Sequence, residues 1–152
     1  MEKVKIEFSN RLLTLLADKI YSERLTFIRE LTQDSLDAYT LAPSKEKLIV
    51  IETLENGRKI KFTDYAIGMD YRFLREDFRK IGHQFKKGDN TIGFYGIGRL
   101  SIWKLKPKSV TILSKTESEK YVNQLIWRDL GEYELRKIKM NRDTPNAFVQ
   151  YI

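Results

Sequence analysis

The sequence predicts an α+β fold: a two-layer α/β sandwich with a mixed, mostly antiparallel sheet and helices on one face. Three observations support this class. Apolar residues recur at helical spacing near the start of the chain, residues 47–63 change to the two-residue period of strands, and residues 109–152 contain four further strand-like runs. Helices therefore come first, a hairpin follows, and further helices lead into a mainly antiparallel meander.

Two helices are predicted before the first strand. Residues 12–20 have apolar side chains at helical spacing. A second helix is predicted over residues 22–39, and Pro43 stops it because proline cannot continue the helical hydrogen-bond pattern. The predicted apolar side of this second helix consists of four residues, Leu25, Ile28, Leu31 and Ala38.

The rest of the chain alternates strands with short helical stretches. A hairpin is predicted with strands over residues 47–53 and 58–63, because Asn56-Gly57 between them favours a tight turn. Charged residues 71–81 predict a helix, and an apolar helix is predicted after Gly98. The four later strands are predicted over residues 110–114, 121–127, 133–139 and 148–152.

Composition limits the possible chemistry. The 152 residues suit one domain, and 41% hydrophobic with 32% charged residues is typical of a soluble globular protein. The absence of cysteine excludes disulfides and thiolate metal sites, and the single histidine, His83, excludes histidine-rich metal centres. No apolar run approaches the roughly 20 residues of a membrane helix, and no signal peptide is evident, so a cytoplasmic protein is expected.

The net charge of +7 favours a polyanionic partner. Nucleic acid is one candidate, and a polyphosphate is the other. The basic residues are scattered along the chain without a dense run, so charge alone does not decide between them.

Three carboxylates share one face of the second predicted helix. Glu30, Asp34 and Asp37 stand at i, i+4 and i+7, which aligns their side chains. Like charges at this spacing repel one another. Either the face is a solvated acidic stripe, or it points into the fold and holds a cation such as Mg²⁺, which prefers oxygen ligands.

Two further motifs carry possible chemistry. Asp64 ends a predicted strand and precedes a turn containing Gly68, so it either caps that turn or accepts a hydrogen bond from an exocyclic amine such as that of adenine. Residues 92–98 contain three glycines before a helix, where bare backbone amides suit a phosphate. Their spacing is neither that of the Walker motif nor that of the Rossmann fingerprint.

In this order, the three motifs resemble those of the GHKL superfamily, the Bergerat-fold ATPases. Residues 30–38 match its Glu-Leu-x-x-Asn-x-x-Asp-Ala, residues 64–69 its Asp-x-Gly-x-Gly-Met, and residues 92–98 its Ile-Gly-x-x-Gly-x-Gly. Within the superfamily, the likeness is greatest to the N-terminal ATP-binding domain of the ninety-kilodalton heat-shock chaperone. The resemblance covers nearly the whole chain.

The resemblance implies a role for each matching residue. Glu30 corresponds to the carboxylate that orients or deprotonates the attacking water, and Asp34 stands where the family has a magnesium-binding asparagine. Asp64 corresponds to the aspartate that reads adenine, helped by an ordered water and Gly68, and Met69 would pack against the base.

The remaining nucleotide contacts are also implied by the resemblance. The glycines would let the backbone approach the phosphates, Lys86 or Lys87 would act as a lid lysine, and Thr144 would support the adenine-reading aspartate. The full set of these further cofactor-binding residues is Asp37, Ala38, Lys86, Gly93, Gly96, Ile97, Gly98, Arg99 and Thr144.

Three departures from the family pattern bear on these expectations. Asp34 adds a negative charge beside the triphosphate, although it remains a competent magnesium ligand. Ala66 replaces the first glycine of the adenine motif, which is acceptable only if the backbone there avoids positive φ. The lid, residues 71–91, is shorter and more basic than in the chaperone.

The expected function is ATP binding and Mg²⁺-dependent ATP hydrolysis, with the nucleotide state driving conformational change. Residues 1–152 are expected to form one ATP-binding domain of a longer protein, slow in hydrolysis by itself because relatives complete their site from a following domain. Two alternatives remain open: a DNA-linked ATPase clamp of the mismatch-repair or chromatin-remodelling type, and a nucleotide-sensing module without turnover. A client protein or DNA could bind through other domains, and a nucleotide-dependent homodimer is possible in the full-length protein.

Overall fold

The computed structural model describes residues 1–8, 25–43, 45–81, 98–140 and 147–152. The strands in chain order are β1 (Glu2–Lys5), β2 (Glu7–Phe8), β3 (Ile49–Leu54), β4 (Lys59–Asp64), β5 (Lys80–Ile81), β6 (Val110–Lys115), β7 (Tyr121–Trp127), β8 (Glu132–Lys139) and β9 (Ala147–Tyr151). The helical elements are α1 (Thr26–Thr40), a π-helical turn (Phe73–Asp77) and a 3-10 helix (Gly98–Leu105).

Seven of these strands form one sheet in the order β1-β8-β7-β6-β9-β4-β3. Each of its pairings is antiparallel. The short strands β2 and β5 form a separate parallel pair. Strand β9 lies between β6 and β4, so the end of the chain joins the hairpin β3–β4 to the meander β6–β8. This architecture confirms the predicted α+β class with a mostly antiparallel sheet, although the one parallel pair among the described strands lies outside the main sheet rather than within it.

One face of the sheet is buried beneath the helical elements. Leu125 lies opposite Leu135 in the register of β7 and β8, Trp127 lies opposite Tyr133, and all four are buried. They pack in one core with residues of α1, including Phe27. Each buried side chain of this size contributes roughly 1.5–3 kcal/mol relative to an exposed one. In the described ranges, no helix is long and apolar enough to cross a membrane.

The buried side of α1 differs from the predicted one. Residues Phe27, Leu31, Ser35 and Tyr39 are buried at a spacing of four, whereas Leu25 precedes the helix and is 65% exposed. Ile28 packs against the core as predicted, and Ala38 is only half-buried. The prediction was therefore right for Ile28 and Leu31 and wrong for Leu25, and it omitted Ser35 and Tyr39, whose hydroxyl groups have hydrogen-bond partners inside the fold.

The hairpin β3–β4 confirms the predicted tight turn. Asn56 and Gly57 have φ values of 57° and 80°, and the Arg58 amide donates to the Glu55 carbonyl over 3.3 Å. Glu55 before them has a φ of 54°, so three consecutive residues with positive φ reverse the chain between Leu54 and Lys59. The pairing places Ile49 opposite Asp64, so Asp64 lies at the open end of the hairpin.

The prediction of one continuous helix over residues 71–81 is wrong. The helical backbone ends with the wide turn Phe73–Asp77, and Lys80–Ile81 then pair with β2. The Glu7 amide donates to the Arg79 carbonyl over 2.7 Å, which draws this end into an extended conformation.

Strand β1 was not predicted, although the alternation of charged residues with Val4 indicates a strand and Val4 is buried. The predicted helix over residues 12–20 lies outside the described residues.

Candidate functional site

Helix α1 carries its three acidic side chains beside the buried stripe. The Glu30 side chain is 28% exposed, and its Oε1 lies 3.1 Å from Nη2 of Arg29. Asp34 is exposed, and Asp37 is half-buried and accepts a 3.4 Å hydrogen bond from Gln33. The acidic residues therefore line the helix next to the side that contacts the sheet, at the border between core and solvent.

Gly98 lies directly against Glu30. A Cβ atom added at Gly98 would lie 2.7 Å from Glu30 Oε2 and 3.1 Å from Glu30 Cβ. Real Cβ atoms essentially never come within 3.0 Å of such neighbours, so only glycine fits without a shift. The acidic motif on α1 and the last glycine of the glycine-rich motif, 68 residues apart in the sequence, thus meet at this contact.

Asp34 has a raised pKa although the residue is exposed. Surrounding protein atoms desolvate its carboxylate and raise its pKa to about 6, and the charges of Glu30, Asp37 and Asp64 act in the same direction. Arg99 opposes this shift. Solvent nevertheless reaches the Asp34 side chain. Access of water to the carboxylate moderates this shift, because solvent stabilises the charged form.

Arg99 follows Gly98 and is held by Phe78. Its Nη1 donates to the Phe78 carbonyl over 2.6 Å, and its guanidinium lies 4.3 Å from the centre of the Phe78 ring. Burial lowers the pKa of Arg99, whereas Asp34 and Tyr133 raise it. Because arginine stays protonated in proteins, Arg99 supplies a fixed positive charge near Asp34. Its predicted contact with phosphate stays a prediction.

Asp64 is buried at the end of β4, with 3% of its surface exposed. Ser35 Oγ donates to Oδ2 over 2.6 Å, and the Ala66 amide donates to Oδ1 over 3.1 Å. Burial raises the pKa of Asp64, whereas these two hydrogen bonds and the charge of Lys45 lower it. Each carboxylate oxygen can accept a second hydrogen bond, so Asp64 retains the capacity to bind a donor from a ligand.

The loop after Asp64 explains how alanine replaces a family glycine. Among the described residues other than glycine, positive φ occurs at Glu55, Asn56 and Lys106, so Ala66 has ordinary backbone geometry. Gly68, in contrast, has a φ of 72°. The first glycine of the motif is therefore dispensable in this backbone, whereas the second supplies a conformation that other residues rarely adopt.

Polar side chains of the sheet fix the far end of this loop. The Met69 amide donates to Ser114 Oγ over 2.7 Å, and the Tyr71 amide donates to Glu119 over 3.0 Å. Asn123 bridges the two by donating to the Met69 carbonyl over 3.4 Å and to Glu119 over 2.9 Å. Met69 itself packs partly buried against the core.

Sequence reasoning missed the residues that position the loop. They are Ser35, Ser114, Glu119 and Asn123. A signal was present, since Ser114 and Asn123 interrupt otherwise apolar runs of β6 and β7 and both are buried. Buried polar side chains require hydrogen-bond partners, and here the partners belong to the loop that follows Asp64.

The structure thus brings Gly98 against Glu30, Arg99 near Asp34 and Asp64 against Ser35, all along α1, whereas Met69 is held by Ser114 and Asn123 of the sheet. Asp37 and Ala38 lie on α1 itself, both half-buried. Five other predicted contacts lie outside the described residues and stay predictions: Lys86, Gly93, Gly96, Ile97 and Thr144. Across the part of the chain that the structure describes, no group of three or more His, Cys, Asp or Glu residues could hold a metal ion.

An α+β sandwich with this arrangement of motifs defines a class of ATPase domains. The chain belongs to the family of histidine kinase-, DNA gyrase B- and HSP90-like ATPases, whose family model matches residues 25–148.

Within this family, its similarity is to chaperones of the HSP90 type. It is 31% identical to chaperone protein HtpG of Alkaliphilus metalliredigens over 137 residues, 74% of this chain and 22% of that protein. Identity to HtpG of Borreliella afzelii is 30%, over 86% of this chain and 24% of the relative. Identity to HtpG of Wigglesworthia glossinidia brevipalpis is 26%, over 88% and 25%. The chain spans about a quarter of the length of these relatives.

Proposed function

We propose that this chain binds ATP with Mg²⁺ and hydrolyses it as part of a chaperone-like ATPase whose nucleotide state drives conformational change. One observation carries the proposal: α1 contacts both ends of the site. Ser35 donates to Asp64, and Glu30 packs against Gly98. These two positions of α1 are five residues apart, about 7.5 Å along the helix axis. One rigid helix thereby fixes the spacing between a base-reading carboxylate and the phosphate end.

Asp64 is the proposed reader of adenine. Its position at the end of a paired strand and its two hydrogen bonds leave the carboxylate little freedom to rotate. An ionised carboxylate accepts hydrogen bonds and donates none, so it favours the exocyclic amine of adenine over the carbonyl oxygen that guanine carries at the same position.

The phosphate end fits a hard divalent cation. Asp34 offers an accessible carboxylate oxygen, and the crowding and like charges that raise its pKa are relieved by a nearby cation. Magnesium bound there would offset the negative charge of the triphosphate. The amides of the glycine-rich motif, residues 92–98, are proposed to surround the phosphates.

Glu30 is the proposed general base. It would orient a water molecule towards the γ-phosphorus and accept its proton as the bond from that phosphorus to the bridging oxygen breaks, yielding ADP and inorganic phosphate. The approach of Gly98 restricts where the Glu30 carboxylate can lie. Positioning of this kind supplies most of the catalysis in phosphoryl transfer.

Calorimetric titration with a non-hydrolysable ATP analogue, with and without Mg²⁺, tests the binding part of the proposal. Saturable binding that Mg²⁺ strengthens is expected. Absence of binding in both conditions would refute the proposed function. Binding without any turnover by the full-length protein would instead support the nucleotide-sensing alternative.

The Glu30→Ala variant tests the catalytic assignment in the full-length protein. We expect analogue affinity to stay within about threefold of the wild type and phosphate release to fall by about a hundredfold or more, because a general base contributes roughly 10²–10⁴. The matched control is Glu46→Ala, which removes an exposed carboxylate between α1 and β3. Unchanged phosphate release by Glu30→Ala would remove Glu30 from the mechanism.

The action of the longer protein belongs to the same proposal. Because the relatives are named chaperones, we propose a client protein as the partner of the full-length chain and a homodimer that forms with nucleotide. A nucleotide-dependent change in sedimentation of the full-length protein would support the homodimer, and an unchanged profile would count against it.

A further inference from the structure

The loop that follows Asp64 has an unusually complete set of hydrogen-bond partners. The Tyr65 amide donates to the Tyr39 hydroxyl over 3.0 Å, and the Ala66 amide donates to Asp64. Lys45 Nζ donates to both carbonyls, that of Tyr65 over 3.2 Å and that of Ala66 over 3.0 Å. Each backbone polar group of these two residues therefore has a partner.

Tyr39 connects this loop to α1 and to the start of the sheet. Its side chain is fully buried, and its hydroxyl donates to the Leu48 carbonyl over 2.7 Å. The same oxygen accepts from the Leu48 amide over 3.1 Å and from the Tyr65 amide over 3.0 Å. A tyrosine hydroxyl has one proton and two acceptor positions, so all of its hydrogen-bonding capacity is used.

Lys45 is the charged member of the arrangement. It lies in the segment between α1 and β3, only half-buried, and its ammonium group contacts the two carbonyls next to Asp64. Its charge also favours the ionised form of that carboxylate. Lys45 thus acts on Asp64 in two ways: it holds the backbone whose amide binds Oδ1, and it compensates part of the carboxylate's charge.

We propose that Lys45 and Tyr39 are positioning residues that orient Asp64 for adenine and thereby set the selectivity of the site for the base. This inference rests on the proposed nucleotide binding and adds residues outside the three motifs. Neither residue is expected to touch the phosphates, since both act on the loop beside Asp64. Their effect therefore concerns the exocyclic amine of the base.

Base selectivity separates this role from a merely structural one. ADP and inosine diphosphate share the ribose and phosphates, but inosine has a carbonyl oxygen in place of the exocyclic amine. Loss of stability or of general electrostatic attraction weakens both ligands equally. Misdirection of Asp64 weakens ADP and leaves inosine diphosphate nearly unchanged, so the ratio of the two dissociation constants reports on positioning.

The experiment compares Lys45→Met, Lys45→Arg and Tyr39→Phe with the wild type by calorimetry. For Lys45→Met we expect the preference for ADP to fall by roughly three- to tenfold, the size of one lost hydrogen bond of ordinary net strength. Arginine keeps the charge and the donors, so Lys45→Arg should restore most of the preference. Lys47→Met, which removes an exposed lysine of the same segment, is the matched control and should retain the wild-type ratio.

A second measurement does not depend on nucleotide. Amide hydrogen exchange at Tyr65 and Ala66 should accelerate by about tenfold in Lys45→Met and return towards wild type in Lys45→Arg. Wild-type exchange and a wild-type ADP preference in Lys45→Met would overturn the inference. Failure of the wild-type protein to bind either nucleotide would refute the proposed function, and accelerated exchange would then still show that Lys45 holds the loop. Because Tyr39→Phe can unfold this buried region, the lysine variants decide the outcome.

Discussion

The base end and the phosphate end of the proposed site differ in how they are held together. Around Asp64, hydrogen bonds from Ser35 and Ala66 use one acceptor position on each oxygen of a buried carboxylate and leave the others for a ligand. Around Asp34, carboxylates lie near one another at an accessible surface, and the compensating charge comes from Arg99, whose hydrogen bond goes to Phe78. The base end is fixed by geometry, whereas the phosphate end is held by charge.

This difference indicates what each end contributes to the proposed function. A network of directional hydrogen bonds around a buried carboxylate fixes its orientation, which selectivity for a base requires. An excess of negative charge at an accessible surface favours a cation and changes when the cation or the phosphates leave. Substitutions at the base end should therefore act on affinity, and substitutions at the phosphate end should act mainly on turnover.

The largest expected effect belongs to Asp64→Asn. The change removes the negative charge and one of the two acceptor oxygens, which serve Ser35, the Ala66 amide and the proposed adenine amine. We expect ADP affinity to fall by on the order of a hundredfold, since a lost charge-assisted hydrogen bond and an unpaired buried donor together cost about 3 kcal/mol.

Calorimetry measures that loss, and thermal unfolding shows whether the variant is folded. Asp77→Asn is the matched control, because Asp77 is paired with Lys80 over 3.1 Å at the surface. Wild-type ADP affinity in Asp64→Asn would contradict this comparison, because Asp64 would then not recognise the base.

Much of this arrangement could be predicted from periodicity and local turn chemistry. Strand β7 has the predicted bounds, and Asn56-Gly57 has the predicted conformation, because both depend on neighbouring residues. The middle position of β9 could not be predicted, since strand order depends on pairings between distant segments. Helical spacing singled out Glu30, and the strand end before a turn singled out Asp64, whereas their expected roles came from the resemblance to the family motifs.

The positioning residues were harder to predict for a different reason. Ser35 and Tyr39 look like ordinary surface positions of a helix, because a hydroxyl group adds polarity to any periodicity count. Their burial depends on partners 29 and 26 residues away, Asp64 and the Tyr65 amide. Tertiary contacts therefore determine which side of α1 is buried, and the local sequence does not indicate these contacts.

Gly98→Ala tests the phosphate end. The added methyl group would lie 2.7 Å from Glu30 Oε2, so the Glu30 carboxylate must move. We expect turnover by the full-length protein to fall by on the order of ten- to a hundredfold, the effect of misplacing a catalytic group by about 1 Å. ADP affinity should change by less than about threefold, because the base end is intact.

Gly131→Ala is the matched control for that variant. Its methyl group would lie 3.2 Å from Asp129 Oδ1, which is also a close contact with a carboxylate but belongs to the turn before β8. Equal turnover in the two glycine variants would show that the approach of Gly98 to Glu30 has no catalytic consequence. A large loss of ADP affinity in Gly98→Ala would show that the two ends are not separable.

The smallest expected effect is a pH dependence at the base end. Burial raises the pKa of Asp64, so the carboxylate takes up its proton at a higher pH than the ordinary value of about 3.9. The protonated group accepts hydrogen bonds poorly. Affinity for adenosine should therefore be constant at neutral pH and decline as the pH falls through the raised pKa, by about tenfold for each further unit.

Adenosine has no phosphate, so nuclear magnetic resonance titrations with it report on the base end alone. The same profile is expected in Asp34→Asn, because that substitution removes the carboxylate at the phosphate end without touching Asp64. A decline that disappears in Asp34→Asn would assign the pH dependence to Asp34 rather than to Asp64. The separation would then fail, because a carboxylate assigned to the phosphate end would control binding of the base.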